Sequence, residues 1–129
     1  MPKSMLKYSI VLLLLVSCTQ GIELNNHFDK SAPITVLVSD TVNKKTAPYE
    51  VDPNASAHAR FINWIEENQD GSRKSPASYI GDIMVKQKDF TLLRLRNKGV
   101  MISFSDGAGK PLQYTKDCDK EELEFLKHQ

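Results

Sequence analysis

The chain has 129 residues, 40% hydrophobic and 26% charged, which is room for one small folded domain. That balance excludes a disordered tail and a multi-span membrane bundle. The formal net charge is +1, but Lys3 and Lys7 lie in a 17-residue start without Asp or Glu. Without them 15 basic residues face 16 acidic ones, and nothing in the charge argues for nucleic-acid binding.

Lys3 and Lys7 flank the start of an apolar run over residues 8–16. A membrane-spanning helix needs about 20 apolar residues. This run is about half that, the length of a signal peptide's hydrophobic region, and the lysines fit its positive leader. It stops at Cys18.

Leu15-Val16-Ser17-Cys18 resembles the lipobox of bacterial lipoproteins, with an aliphatic residue at −3 and a small residue before the cysteine. The resemblance covers the signal segment alone. It implies a diacylglycerol on the Cys18 thiol, cleavage just before Cys18, and acylation of the new amino group. Two or three acyl chains anchor far more firmly than one. Thr19, where retained lipoproteins carry Asp, implies the outer membrane, periplasmic face. An ordinary secreted protein, cut near Thr19-Gln20-Gly21 and released to the periplasm or medium, is the alternative. Cys118 is the second cysteine. It lacks a partner in the chain if Cys18 is lipidated, and could bridge to it otherwise. The expected organisation is a signal peptide over 1–17, a lipidated Cys18 with a tether to 31, and one globular domain over 32–129. The tether, residues 19–31, would reach about 43 Å fully extended.

Residues 33–38 are rich in β-branched side chains and read as a strand; 39–49 read as a loop. Asp52-Pro53 suits a helix start, and Ala57, Phe61, Trp64 and Ile65 share one helical face opposite Arg60, Asn63, Glu66 and Glu67. Asp70-Gly71 suits its end. Strands are expected over 79–86, with Gly81-Asp82 as an interruption, over 90–96, and over 100–105. Lys88-Asp89 and Asn97-Lys98-Gly99 supply the turns. Gly107 and Gly109 turn the chain into a last short strand at Leu112 and Tyr114. Asp119 and Glu122 form a capping-box pattern before a short C-terminal helix. The order β-α-β-β-β-β-α predicts an α+β domain: a small antiparallel sheet of four to five strands with one main helix on a face.

No pattern here carries catalysis. His27 and His128 lie in the tether and near the end, and His58 reads as a solvent-facing residue. No cysteine–histidine spacing suits a metal, and none is expected; nor is a cofactor. Lys110 in Gly107-Ala108-Gly109-Lys110 has neither the spacing of a phosphate loop nor a helix after it. Lys86, Lys88, Arg94 and Arg96 are expected to line the outward sheet face as a basic stripe, the candidate partner-binding surface, with Trp64 as a core residue or interface anchor. The expected function is a membrane-anchored protein-binding module, of which an immunity or inhibitor protein is one version. A pilotin-like assembly role is the alternative. An envelope enzyme using Asp82, Asp89 or Asp106 ranks last.

Overall fold

In a computed structural model, the structure describes residues 24–39, 47–96 and 98–127. The lipobox-like stretch Leu15–Cys18, and with it the expected lipid anchor, lies outside these residues. The architecture is a seven-stranded antiparallel sheet in the order β2-β1-β4-β5-β6-β7-β3. Its strands are β1 (Ile34–Val38), β2 (Tyr49–Val51), β3 (Arg73–Lys74), β4 (Gly81–Gln87), β5 (Phe90–Leu95), β6 (Val100–Ser105) and β7 (Pro111–Lys116). One α-helix, α1 (Ser56–Glu67), covers a face, joined by a 3₁₀ turn (Leu24–Asn26) and a 3₁₀ helix (Lys120–Lys127).

The expected sheet of four to five strands is therefore corrected to seven, and the molecule is mostly sheet. The two strands missed, β2 and β3, have three and two residues. Runs that short carry no period of their own; pairing with β1 and β7 creates them. The α1 start is corrected too. Asp52 is not its cap but folds an Asx turn, its Oδ1 accepting from Asn54 N at 2.9 Å, and the helix opens at Ser56 after Ala55. The C-terminal element is 3₁₀ rather than α, although its capping box forms: Asp119 N donates to Glu122 Oε2 at 2.7 Å.

Strand alternation sends Ile34, Val36, Ile83, Val85, Leu92 and Ile102 to one face, where all are buried. Ala57, Phe61, Trp64 and Ile65 of α1 close over them, as their helical spacing predicts. Phe28 sits between the layers, edge-on to Phe61 and Phe90 at centroid distances of 5.5 and 5.4 Å. Leu123 and Leu126 seal the core from the C-terminal side.

Residues 24–31, read from sequence as tether, pack on the domain instead. Leu24 is fully buried, and its N–H donates to Gln69 Oε1 at 2.8 Å. The buried Gln87 amide clamps Asp29, accepting from its N–H at 2.6 Å and donating to its carbonyl at 2.7 Å. His58, expected at the surface, is 1% exposed, with Nε2 2.8 Å from Ala32 O. The apolar arm holding Leu24 and Phe28 covers the helix start, so a position that looks outward on an isolated helix is interior here.

A second connection lies on the opposite face. Between β3 and β4 in the sheet stand β7, β6 and β5. Crossing them spans about 19 Å at ~4.8 Å per strand. The seven steps from Lys74 to Gly81 reach about 23–25 Å. Residues 75–80 thus form a nearly taut strap. Gln113, on the face away from α1, holds it: Nε2 donates to Ser75 O at 2.9 Å and also to Ala77 O. The strap ends at Gly81, where a Cβ would lie 2.1 Å from Arg94 O and 2.6 Å from Leu93 Cδ1. Leu93, on that outer face between Met84 and Met101, is only 7% exposed as a result.

Candidate interaction surfaces

The expected basic stripe does not form. Arg94 pairs across the sheet with Ile83 and Val100, both core residues, so its side chain joins the core face and is 4% exposed. There Nε and Nη2 donate to Asp82 Oδ1 and Oδ2 at 2.9 and 2.6 Å, and Nη1 donates to Glu124 Oε2 at 2.6 Å and Lys120 O at 2.7 Å. Lys127 Nζ lies 3.1 Å from Asp82 Oδ2. Lys86 alone of the four stands exposed on the outer face. Lys88 occupies the β4–β5 turn at φ 52°, with Nζ 4.0 Å from Asp29, and Arg96 is exposed just beyond β5.

This network decides what the converging carboxylates can do. Burial opposes the charge on Asp82, but hydrogen bonds from Arg94 and Lys127, together with their charges, outweigh it and hold its carboxyl at about 2. The Arg94 bond also draws Glu124 below the usual range. Two carboxylates held ionised by cations serve as a clamp, not as an acid–base pair. Asp89 Oδ2 accepts from Ser105 N at 3.0 Å, and Asp106 Oδ1 accepts from Ala108 N and Lys110 N, both at 2.9 Å. Both are turn-forming residues, and the Gly107–Lys110 stretch is a hairpin turn. Among the described residues no group of three or more His, Cys, Asp and Glu is placed to hold a metal ion, and no helix is long and apolar enough to cross a membrane.

Trp64 is 5% exposed and belongs to the core. Its remaining edge lines a shallow cleft of about 270 Å³ between α1 and the C-terminal 3₁₀ helix, with Arg60, Asn63, Glu67, Glu122 and Phe125. The Arg60 guanidinium stands 4.2 Å above the Phe125 ring. Below the cleft lies Cys118, a buried free thiol. Burial, then the neighbouring Glu122 carboxylate, pushes it up to about 12. A second cleft, of about 300 Å³, is lined by Asn26, His27, Phe28, Asp29, Lys88 and Asp89, beside the stack of His27 on Phe104 at 3.9 Å. Small-molecule pockets run from about 300 to 1,000 Å³. These clefts are at or below that floor and suit a side chain better than a whole ligand.

The feature that sequence reading missed is the segregation of charge. The layer over the core face (24–32, 52–70 and 117–127) holds ten acidic and four basic side chains, net −6. The described residues of the sheet, its turns and the strap (33–39, 47–51, 71–96 and 98–116) hold four acidic and nine basic, net +5. A chain of net charge +1 thus divides its charge between the two groups, with Lys88, Arg94 and Lys116 bridging from the basic one to Asp29, Glu124 and the Asp70 carbonyl of the acidic one. Acidic residues cluster late in the sequence around Asp119–Glu124, a visible signal. Its meaning depends on α1 and the turn after it bringing Glu66, Glu67 and Asp70 to the same layer.

The chain matches no protein-family model, and no curated protein or solved structure matches it.

Proposed function

We propose that this protein is a lipid-anchored binding module of the bacterial envelope, tethered through Cys18 and docking a partner protein on its acidic helical layer. The observation that carries the reading is the Trp64–Phe125 cleft set in a layer of net charge −6. Aromatic and arginine side chains are the usual anchors of protein interfaces, and complementary charge speeds and selects the encounter. The occupant that fits is a basic segment of a partner, with one apolar or aromatic side chain entering the cleft and Lys or Arg meeting Glu67 and Glu122. Masking a basic functional surface is how an inhibitor or immunity protein would use this layer; an assembly role is the alternative.

The anchor follows the lipobox-like Leu15–Cys18 stretch. Radiolabelled palmitate incorporation, abolished by Cys18→Ala, tests it. Docking is tested by a photo-crosslinking residue at Asn63, which is exposed on the cleft rim. The expected product is one dominant adduct with a basic protein segment, lost on Glu67→Lys with Glu122→Lys. An adduct insensitive to that reversal, or an adduct obtained only when the photo-residue replaces Lys86 on the opposite face, would sink the docking assignment.

A further inference from the structure

The geometry points to a second surface with a different occupant: the strap side of the sheet lies against an anionic lipid surface. Three observations converge there. Ile80, at the end of the strap, is 74% exposed, and it is the exposed large hydrophobic residue of the described chain. Arg73, just before the strap and opposite Thr115, is exposed on the outer face with Lys86, as are Arg96 and Lys98 at the β5–β6 turn. None of these four cations has an ion-pair partner among the described residues. The sheet, turns and strap as a whole carry net charge +5, although Lys74, Lys88, Arg94 and Lys116 of that group project on the core-face side. An apolar side chain projecting from a basic surface is the chemistry of interfacial membrane contact: the alkyl group enters the headgroup region, and each cation adds about fivefold in affinity near an anionic leaflet.

Chain length allows the arrangement. Leu24 is pinned in the core, so only six residue steps separate it from Cys18, about 20 Å at full extension. That is half the reach of a tether running to residue 31. The domain is held within roughly its own thickness of the leaflet, where its basic side is drawn inward and its acidic layer repelled outward. The partner surface thereby faces the aqueous side. The inference rests on the anchor reading for this closeness alone; the lipid contact belongs to the folded domain.

The experiment uses the full, cell-processed chain in vesicles containing bromine-labelled lipid, with an indole introduced by Ile80→Trp, or by Ser78→Trp as a second reporter on the strap. Asn54→Trp, exposed before α1, is the comparison. In vesicles of phosphatidylcholine with phosphatidylglycerol, the strap reporters are expected to be quenched and the comparison spared. Quenching should fall to the level of pure phosphatidylcholine vesicles with added salt, and with Arg73→Glu plus Lys86→Glu. Vesicle flotation reads the anchor separately. A chain that floats but shows equal quenching at 80 and 54, or none, overturns the orientation while leaving the anchor intact. A chain that does not float should still be quenched at 80 when mixed with anionic vesicles; absence of that signal also overturns the proposal.

Discussion

The Arg94 guanidinium meets the Asp82 carboxylate in a two-bond fork, at 2.9 and 2.6 Å, beneath the C-terminal 3₁₀ helix. The pair ties the bulge at the start of β4 to β5, and through Glu124 and Lys127 it latches the last element to the sheet. Leu126 is held in place beside it, its carbonyl accepting from the Tyr49 hydroxyl.

Removing one side of a buried pair leaves the other charge without compensation. Arg94→Met is expected to lower stability by about 3–5 kcal/mol, measured by urea unfolding. Adding Asp82→Asn in that background should recover part of the loss, because the stranded charge is gone. Arg94→Lys should fall between, since an ammonium cannot form the fork.

Acid should release the latch in a defined window. Asp82 titrates at about 2 in the folded state, against about 3.9 for an unperturbed aspartate, so its contribution is present above the unfolded value and disappears as pH falls through about 2. Glu124, also lowered by Arg94, acts with the same sign. Allowing for solvent screening, Asp82 accounts for roughly 1–2 kcal/mol. Urea midpoints between about pH 5 and 2 should drop steeply, and Asp82→Asn should flatten that slope.

The strap requires a glycine at its end. Gly81→Ala places a methyl group 2.1 Å from the Arg94 carbonyl, backbone that cannot give way without opening the β4–β5 ladder. A loss of about 2–4 kcal/mol in thermal or chemical unfolding is expected. Gly107→Ala, with nothing within 4 Å, should stay within about 0.5 kcal/mol of the parent.

Cys118 should resist thiol reagents in the native protein. With its thiol pushed up to about 12 by burial, the thiolate fraction at pH 8 is about one in ten thousand, and the residue is 5% exposed. Alkylation followed by mass spectrometry should therefore report unfolding: the rate rises with urea in step with the loss of secondary structure. Fast labelling without denaturant would contradict the buried placement.

Elements with a strong period of their own were legible from residues alone. The α1 face of Ala57, Phe61, Trp64 and Ile65, the alternation of Val100, Ile102 and Phe104, and the turns at Lys88-Asp89 and Gly107–Gly109 each follow from local sequence. The run Thr91-Leu92-Leu93-Arg94-Leu95 was not, because apolar residues on both faces hide its parity. Its charge alone therefore points Arg94 outward, whereas its phase with Phe90 and Leu92 puts it on the core face.

What the sequence determined by itself is what short-range physics controls: helix and strand periods, turn chemistry, capping at Asp119, and the lipobox-like segment ending at Cys18. Only the tertiary structure decided the rest. It set the two edge strands, the packing of residues 24–31, the burial of His58 and Arg94, the strap over Leu93, and the split of a near-neutral chain into acidic and basic sides. Each depends on which distant segments meet. Pairing, desolvation and summed charge are properties of neighbours in space, and no local pattern records who those neighbours are.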